Sequence, residues 1–175
     1  MRRLMLLRHA KSDWSTPGQR DIDRTLSARG REAAAVMGRY MAQHALVPDH
    51  VLVSSARRTR ETWELLAPAF DRQPAFAYEP RLYEASPARL LELFRAADPA
   101  VHALLVIGHN PGLQEVVTAL AATGDIDARQ QMIEKFPTAA LAILDFPTDD
   151  WRDLKPNTGR LDRFVIPRAL QSGSE

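Results

Sequence analysis

Cysteine is absent from the chain, which excludes disulfides, thiolate metal sites and cysteine nucleophiles together and leaves the redox compartment open. Long apolar runs are absent too. No stretch approaches the roughly 20 residues of a membrane-spanning helix. The run behind Arg2 and Arg3 is only four residues, Leu4 to Leu7, too short for a signal-peptide core. Nor is charge of one sign in excess: 23 Lys and Arg stand against 22 Asp and Glu, a net charge of +1. That balance gives no general electrostatic reason to expect a nucleic acid or a membrane as partner. The HExxH, Walker A, GxSxG and GxGxxG patterns are missing, and no carboxylates pair at metal-ligand spacing. The expectation is a soluble, cytoplasmic protein that uses no metal and no other cofactor.

What is present is an ordinary globular composition in 175 residues, one domain by size and enough chain for a substantial core. Leu4 to Leu7 pass without a turn residue into Arg8 and His9. A short continuous apolar run reads as a strand buried on both faces, the kind found in parallel sheets. Val51-Leu52-Val53 and Ala103 to Ile107 have the same character, and they end in Ser54-Ser55-Ala56-Arg57-Arg58 and in Gly108-His109-Asn110. Helical spacing and capping residues predict helices from Ser27 to about His44, through Thr62, Leu65 and Leu66, and from Ser86-Pro87 onward. A further helix is expected over 112–122, with Asn110 as N-cap and Pro111 at its first position. Residues 10–26 read as a long polar loop over the first strand end. Residues 71–81 read as a proline-rich connection with a short edge strand around Phe76 to Tyr78.

A helix over 127–135, strands over 139–146 and near 163–166, and a frayed tail over 168–175 complete the chain. There is no internal repeat and no interdomain linker. Strands alternating with helices predict an α/β fold: a single three-layer α/β/α domain over residues 1–167 with a mainly parallel central sheet.

In open α/β sheets the ligand crevice lies outside the carboxyl ends of the strands. If the three apolar strands are neighbours, Arg8, His9, His109 and the Arg57-Arg58 pair meet there. Two of those strand ends also open helices, whose free N–H groups and dipole favour an anion. Fixed cations without a carboxylate cluster suit a phosphoryl group, because arginine holds phosphate oxygens bidentately and stays charged. Neutral imidazole can attack phosphorus and split the transfer into two steps. Phosphoryl transfer needs mainly positioning and charge neutralisation.

Leu6-Leu7-Arg8-His9-Ala10 resembles the signature of the histidine phosphatase superfamily, which includes the phosphoglycerate mutases, with Ala10 where that family usually has glycine. Ser54 to Thr62 resembles its second motif and would assign the second phosphate-binding arginine to Arg58, leaving Arg57 a bystander. Ile107-Gly108-His109-Asn110 resembles the third motif. The stretches Lys11 to Trp14, Asp21 to Gly30 and Lys135 to Ala140 are similar to the short bacterial phosphohistidine phosphatases of the SixA type. The resemblance implies that His9 is the phosphorylated nucleophile and that Arg8, Arg58 and His109 hold the phosphoryl group. Glu84, in Leu82-Tyr83-Glu84-Ala85, is the candidate general acid.

The implied activity is a metal-independent phosphatase whose substrate is a phosphohistidine-bearing protein. Two alternatives stay open: a small-molecule phosphomonoesterase or mutase using the same groups, and a phosphate-recognition module without turnover. Asp21, Asp23 and Arg24 have a simpler reading as residues that order a loop. Trp14 either covers the site or merely packs, and His44, His50 and His102 are expected at the surface or in the core.

Overall fold

Leu4, Met5, Leu6 and Leu7 are fully buried in a strand, β1 (Arg2–Arg8), inside a seven-stranded sheet. This is a computed structural model, and it describes residues 1–171. The other strands are β2 (His50–Ser54), β3 (Ala75–Glu79), β4 (Ala103–Gly108), β5 (Ala121–Gly124), β6 (Leu141–Phe146) and β7 (Gly159–Val165). Their order across the sheet is β3-β2-β4-β1-β6-β7-β5. All neighbouring pairs are parallel except those made by β6, which runs against both β1 and β7.

Helices cover both faces, and the period of two along each strand decides which core a side chain enters. Leu4 and Leu6 of β1 and Leu104 and Val106 of β4 pack with α3 (Pro87–Arg95), α4 (Gly112–Leu120) and α5 (Ile126–Glu134). Met5, Leu7, Leu105 and Ile107 face the other way, onto α1 (Ala28–Gln43) and α2 (Arg57–Leu66). Each buried aliphatic side chain contributes on the order of 1.5–3 kcal/mol. The strand is therefore anchored up to the residue before His9. The expected three-layer α/β/α arrangement with a mainly parallel sheet is what the chain adopts.

Two helix starts follow their capping residues. Ser27 accepts from the Gly30 N–H at 3.1 Å, and Ser86 accepts from the Arg89 N–H at 3.2 Å with Pro87 opening the helix. At α4 the register differs from expectation. Its cap is Pro111, one residue later than Asn110, although Asn110 Oδ1 still accepts from the Gln114 N–H at 3.2 Å. The chain also leaves α4 earlier than the apolar pattern suggests. Ala121 to Gly124 form β5 against a β7 that starts at Gly159, not near 163. Here parallel pairing overrides the helical propensity of two alanines. The segment expected as a tail from 168 is helical to the last described residue: α6 (Pro167–Gln171) packs on α1, and 172–175 lie outside the described residues.

The long polar segment after β1 is tied down, by an antiparallel bridge between Ser12 and Leu26 and a 3-10 turn at Asp21–Asp23. Gly30 makes this possible. A Cβ there would lie 2.0 Å from the Lys11 carbonyl oxygen, so only glycine lets α1 approach the backbone that leaves His9.

Candidate active site

The order β2-β4-β1 puts the three apolar strands side by side. Register then aligns their ends, with Arg8 opposite Gly108 and Val53 opposite Ile107. The His9 N–H donates to the Gly108 carbonyl at 3.1 Å, and the Ala139 N–H reaches the carbonyls of Arg8 and His9 at 3.1 and 3.0 Å. The backbone that carries the two residues is thus fixed on both sides.

His9 is 6% exposed. Its Nδ1 lies 2.7 Å from the Ala10 carbonyl, which can only accept, so Nδ1 carries the proton and Nε2 keeps a lone pair. Arg58 Nε donates to that Nε2 at 3.3 Å. Burial first, opposed by the Ala10 hydrogen bond, and then the charges of His109, Arg58 and Arg8 pull the His9 pKa from 6.5 to about 3. His9 is a neutral imidazole at physiological pH, in the tautomer a nucleophile needs.

The His109 ring lies 5.4 Å from that of His9. Its Nε2 donates to Ser54 Oγ at 2.7 Å, while Nδ1 accepts from Arg58 Nη2 at 3.4 Å. Burial, then the Arg58 charge, lowers its pKa to about 3 as well. Both imidazole lone pairs face one guanidinium.

Arg58 is itself clamped. Nη1 donates to the Asp21 carbonyl at 2.8 Å, and Nη2 to Asp21 Oδ2 at 3.1 Å. The same carboxylate accepts from the Tyr83 hydroxyl and pairs with Arg24 at 3.0 Å. Tyr83 chiefly, with the arginines, holds Asp21 near pKa 2, against the opposing effect of its own partial burial. Arg8 enters from the other side, where its Nη1 donates to the Phe136 carbonyl at 3.0 Å. Its Nε is buried without a hydrogen-bond partner among the described residues. Burial and then the Arg58 charge push the Arg8 pKa down, an electrostatic cost that an anion between the two guanidiniums relieves.

His9, Arg8, Arg58 and His109 open into a cavity of about 450 Å³. Its lining also includes Lys11, Arg24 and Lys135 and, among the described residues, contains no carboxylate. Trp14 stands at its rim, 76% exposed, with the Arg24 guanidinium 3.4 Å from its ring centroid. Such a site holds a dianion by charge and by arginine forks, with a nucleophilic nitrogen at its base.

Four of the five expected site residues are therefore gathered in one cavity. Glu84 is set apart. It is exposed on a left-handed turn with φ 56°, lining a neighbouring cavity of about 550 Å³ that shares Arg58 and His109 with the first. Arg57, the expected bystander, is exposed, and so is Arg60. His44 and His102 also lie outside the site, bonded to the Tyr40 carbonyl and to Arg2. Sequence reasoning missed the Asp21–Tyr83 clamp, the Ser54 hydroxyl on His109, and Thr62, whose hydroxyl accepts from the Ala10 N–H at 3.1 Å. Asp21 lies in a stretch the sequence already marks, but Arg58 and Tyr83, which it joins, are 37 and 62 residues away. No local signal names them.

Comparison with known proteins agrees with this geometry. Residues 4–94 match the family model described as the histidine phosphatase superfamily (branch 1). The uncharacterized protein Rv1276c of Mycobacterium tuberculosis (strain ATCC 25618 / H37Rv) is 35% identical over 164 residues, covering 93% of this chain and all of that protein. Among solved structures, a protein named SixA from Agrobacterium tumefaciens is 30% identical with a TM-score of 0.78, over 95% of this chain and 98% of that one. A second, so named from Nakamurella multipartitia, is 25% identical with a TM-score of 0.82, over 95% and 96% of the two chains. With the Arg-His pair, the clamped arginine and the second histidine in place on this sheet, the chain belongs to the histidine phosphatase superfamily, branch 1.

Proposed function

We propose that this phosphatase removes the phosphoryl group from a phosphohistidine on a partner protein, through a phosphohistidine intermediate on His9. The observation that carries the reading is the lone pair of His9 Nε2, facing Arg58 at the base of a basic cavity whose described lining holds no carboxylate. In the first step Nε2 attacks phosphorus, and the bond from phosphorus to the partner's imidazole nitrogen breaks; that ring enters protonated on its other nitrogen and so leaves as neutral imidazole. Arg8 and Arg58 neutralise the oxygens, and His109 borders the same space. In the second step water attacks the phosphorus on His9. Inorganic phosphate leaves and the Nε2 lone pair is restored.

Two features favour a protein-borne phosphohistidine. The chain between Arg58 and β4 holds α2, the short edge strand β3, α3 and two single-turn 3-10 helices, with no long insertion to close over a small substrate. An open site admits a side chain on another protein, whereas a mutase must exclude water to protect its phosphoenzyme. The leaving group points the same way. Imidazole has a pKa of about 6.5 when protonated and leaves with little help, which tolerates an acid as peripheral as Glu84. An alkoxide needs a well-placed acid. The competing small-molecule reading draws on the neighbouring cavity, where Glu84 faces space shared with Arg58 and His109.

The test compares kcat/KM for a phosphohistidine-bearing domain with that for phosphoglycerates and sugar phosphates. Preference for the phosphohistidine, no turnover by a folded His9→Ala variant, and a large loss with Glu84→Gln only on alcohol esters are expected. Preference for the alcohol phosphates would overturn the substrate assignment. More than a few per cent activity in His9→Ala would overturn the nucleophile. Failure to trap a phosphoryl group on the wild-type chain would favour a recognition module.

A further inference from the structure

The cavity above His9 does not end at Lys11 and Lys135. Those two residues, with Pro137 and Thr138, are the shared wall of a second cavity of about 550 Å³. It runs between the N-terminal part of α1 and the start of α6. Arg29 on α1 and Arg168 on α6 stand on its far side. The floor is apolar, from Ala33, Ile166 and Pro167. Lys11, Arg29, Lys135 and Arg168 are all exposed, and none forms an ion pair with another described residue, whereas Arg20, Arg81 and Arg152 each rest on a neighbouring carboxylate. Among the described residues of the lining, Glu32 is the single acidic one. Four cations around one groove repel one another, and a chain carrying carboxylates relieves that repulsion.

We infer that this groove is a docking surface for an acidic segment of the substrate protein, the residues flanking its phosphohistidine. The inference rests on the function proposed above and adds to it the character of the partner. With the phosphoryl group on Arg8 and Arg58, the flanking chain lies past Lys11 and Lys135 toward Arg29 and Arg168. Carboxylates face the rim cations, and a small apolar side chain sits on Ala33 and Ile166. Arg29 and Arg168 do not line the His9 cavity, so changing them alters recognition without touching the chemistry.

The test uses three probes: phosphoimidazole, and two phosphohistidyl peptides identical except that one carries Glu and Asp where the other carries Gln and Asn. Wild type should turn over the acidic peptide with the higher kcat/KM, and that preference should shrink as salt is raised. The double variant Arg29→Glu, Arg168→Glu should lose about tenfold in kcat/KM on the acidic peptide. Its kcat/KM on phosphoimidazole should be unchanged, which also shows that it is folded. Equal wild-type rates on the two peptides, or a double variant indistinguishable from wild type on the acidic one, would overturn the groove while leaving the proposed function standing. Turnover of neither peptide would refute that function and the groove with it. A double variant equally impaired on phosphoimidazole would show that these residues act on the site itself, and would overturn the docking role.

Discussion

Removal of the Arg58 side chain separates the electrostatics of the reaction from the stability of the fold. Arg58 is 6% exposed and reaches both imidazoles and Asp21. Without a bound phosphoryl group its charge stands beside that of the part-buried Arg8, whose pKa is lowered by burial and by this same charge. Truncation to alanine relieves that repulsion. It leaves the Asp21 carboxylate, 47% exposed, to be solvated by water. These terms oppose the lost hydrogen bonds, so stability should change by no more than about 1 kcal/mol. The rate should respond far more. A guanidinium that neutralises charge building on the phosphoryl oxygens is worth ~2–4 kcal/mol of barrier, roughly 10²–10³ in kcat. Arg58→Lys keeps the charge without the planar fork and should recover only part of the loss. Arg57→Ala is the control: its side chain is exposed and should matter by less than about twofold. The measurement is kcat on phosphoimidazole beside urea denaturation of the same proteins. Equal losses from Arg57 and Arg58, or a fold loss in Arg58→Ala large enough to explain its inactivity, would refute the reasoning.

Thr62 is fully buried, and its hydroxyl accepts from the Ala10 N–H while donating to the Arg58 carbonyl at 2.7 Å. Thr62→Val keeps the shape but strands that N–H beside His9, so a loss of ~1–3 kcal/mol in chemical denaturation is expected; an unchanged midpoint would contradict it. His9 and His109 titrate near 3 in the folded chain against an ordinary 6.5. Corrected for substrate ionisation, kcat/KM should therefore show no acid limb centred near 6.5, and one found there would mean that His9 is not held neutral by burial. The linked effect on stability has a definite sign. Below 6.5 the unfolded imidazoles take up protons that the folded ones refuse until about 3, so stability falls as pH drops through that window. Turnover should survive EDTA, since arginines neutralise the phosphoryl oxygens; activity lost to chelation and restored by magnesium would refute that account.

Local features can be read directly from the chain. Leu4 to Leu7 specify a strand buried on both faces because alternate side chains need an apolar core on each side, and the abrupt change to Arg8-His9 marks where the sheet ends. Ser27 and Ser86 set two helix starts because each cap satisfies an N–H only three residues on. The inward turn of Arg58 and the outward turn of Arg57 follow from the phase of α2, whose buried residues include Thr59, Thr62, Trp63 and Leu66. Which strand lies beside which, and so the sharing of one cavity by His9, Arg58 and His109, follows only from the packing of the whole chain. That packing also decided that Asp21 and Tyr83 grip Arg58 from distant points in the chain, and that Glu84 turns toward a neighbouring cavity. It drew β5 out of an apparent helix end and onto β7. Capping and side-chain period act within a few residues and leave a pattern in the sequence. Strand order and the folding back of a loop depend on which distant surfaces bury one another, and no pattern within a short stretch records that choice.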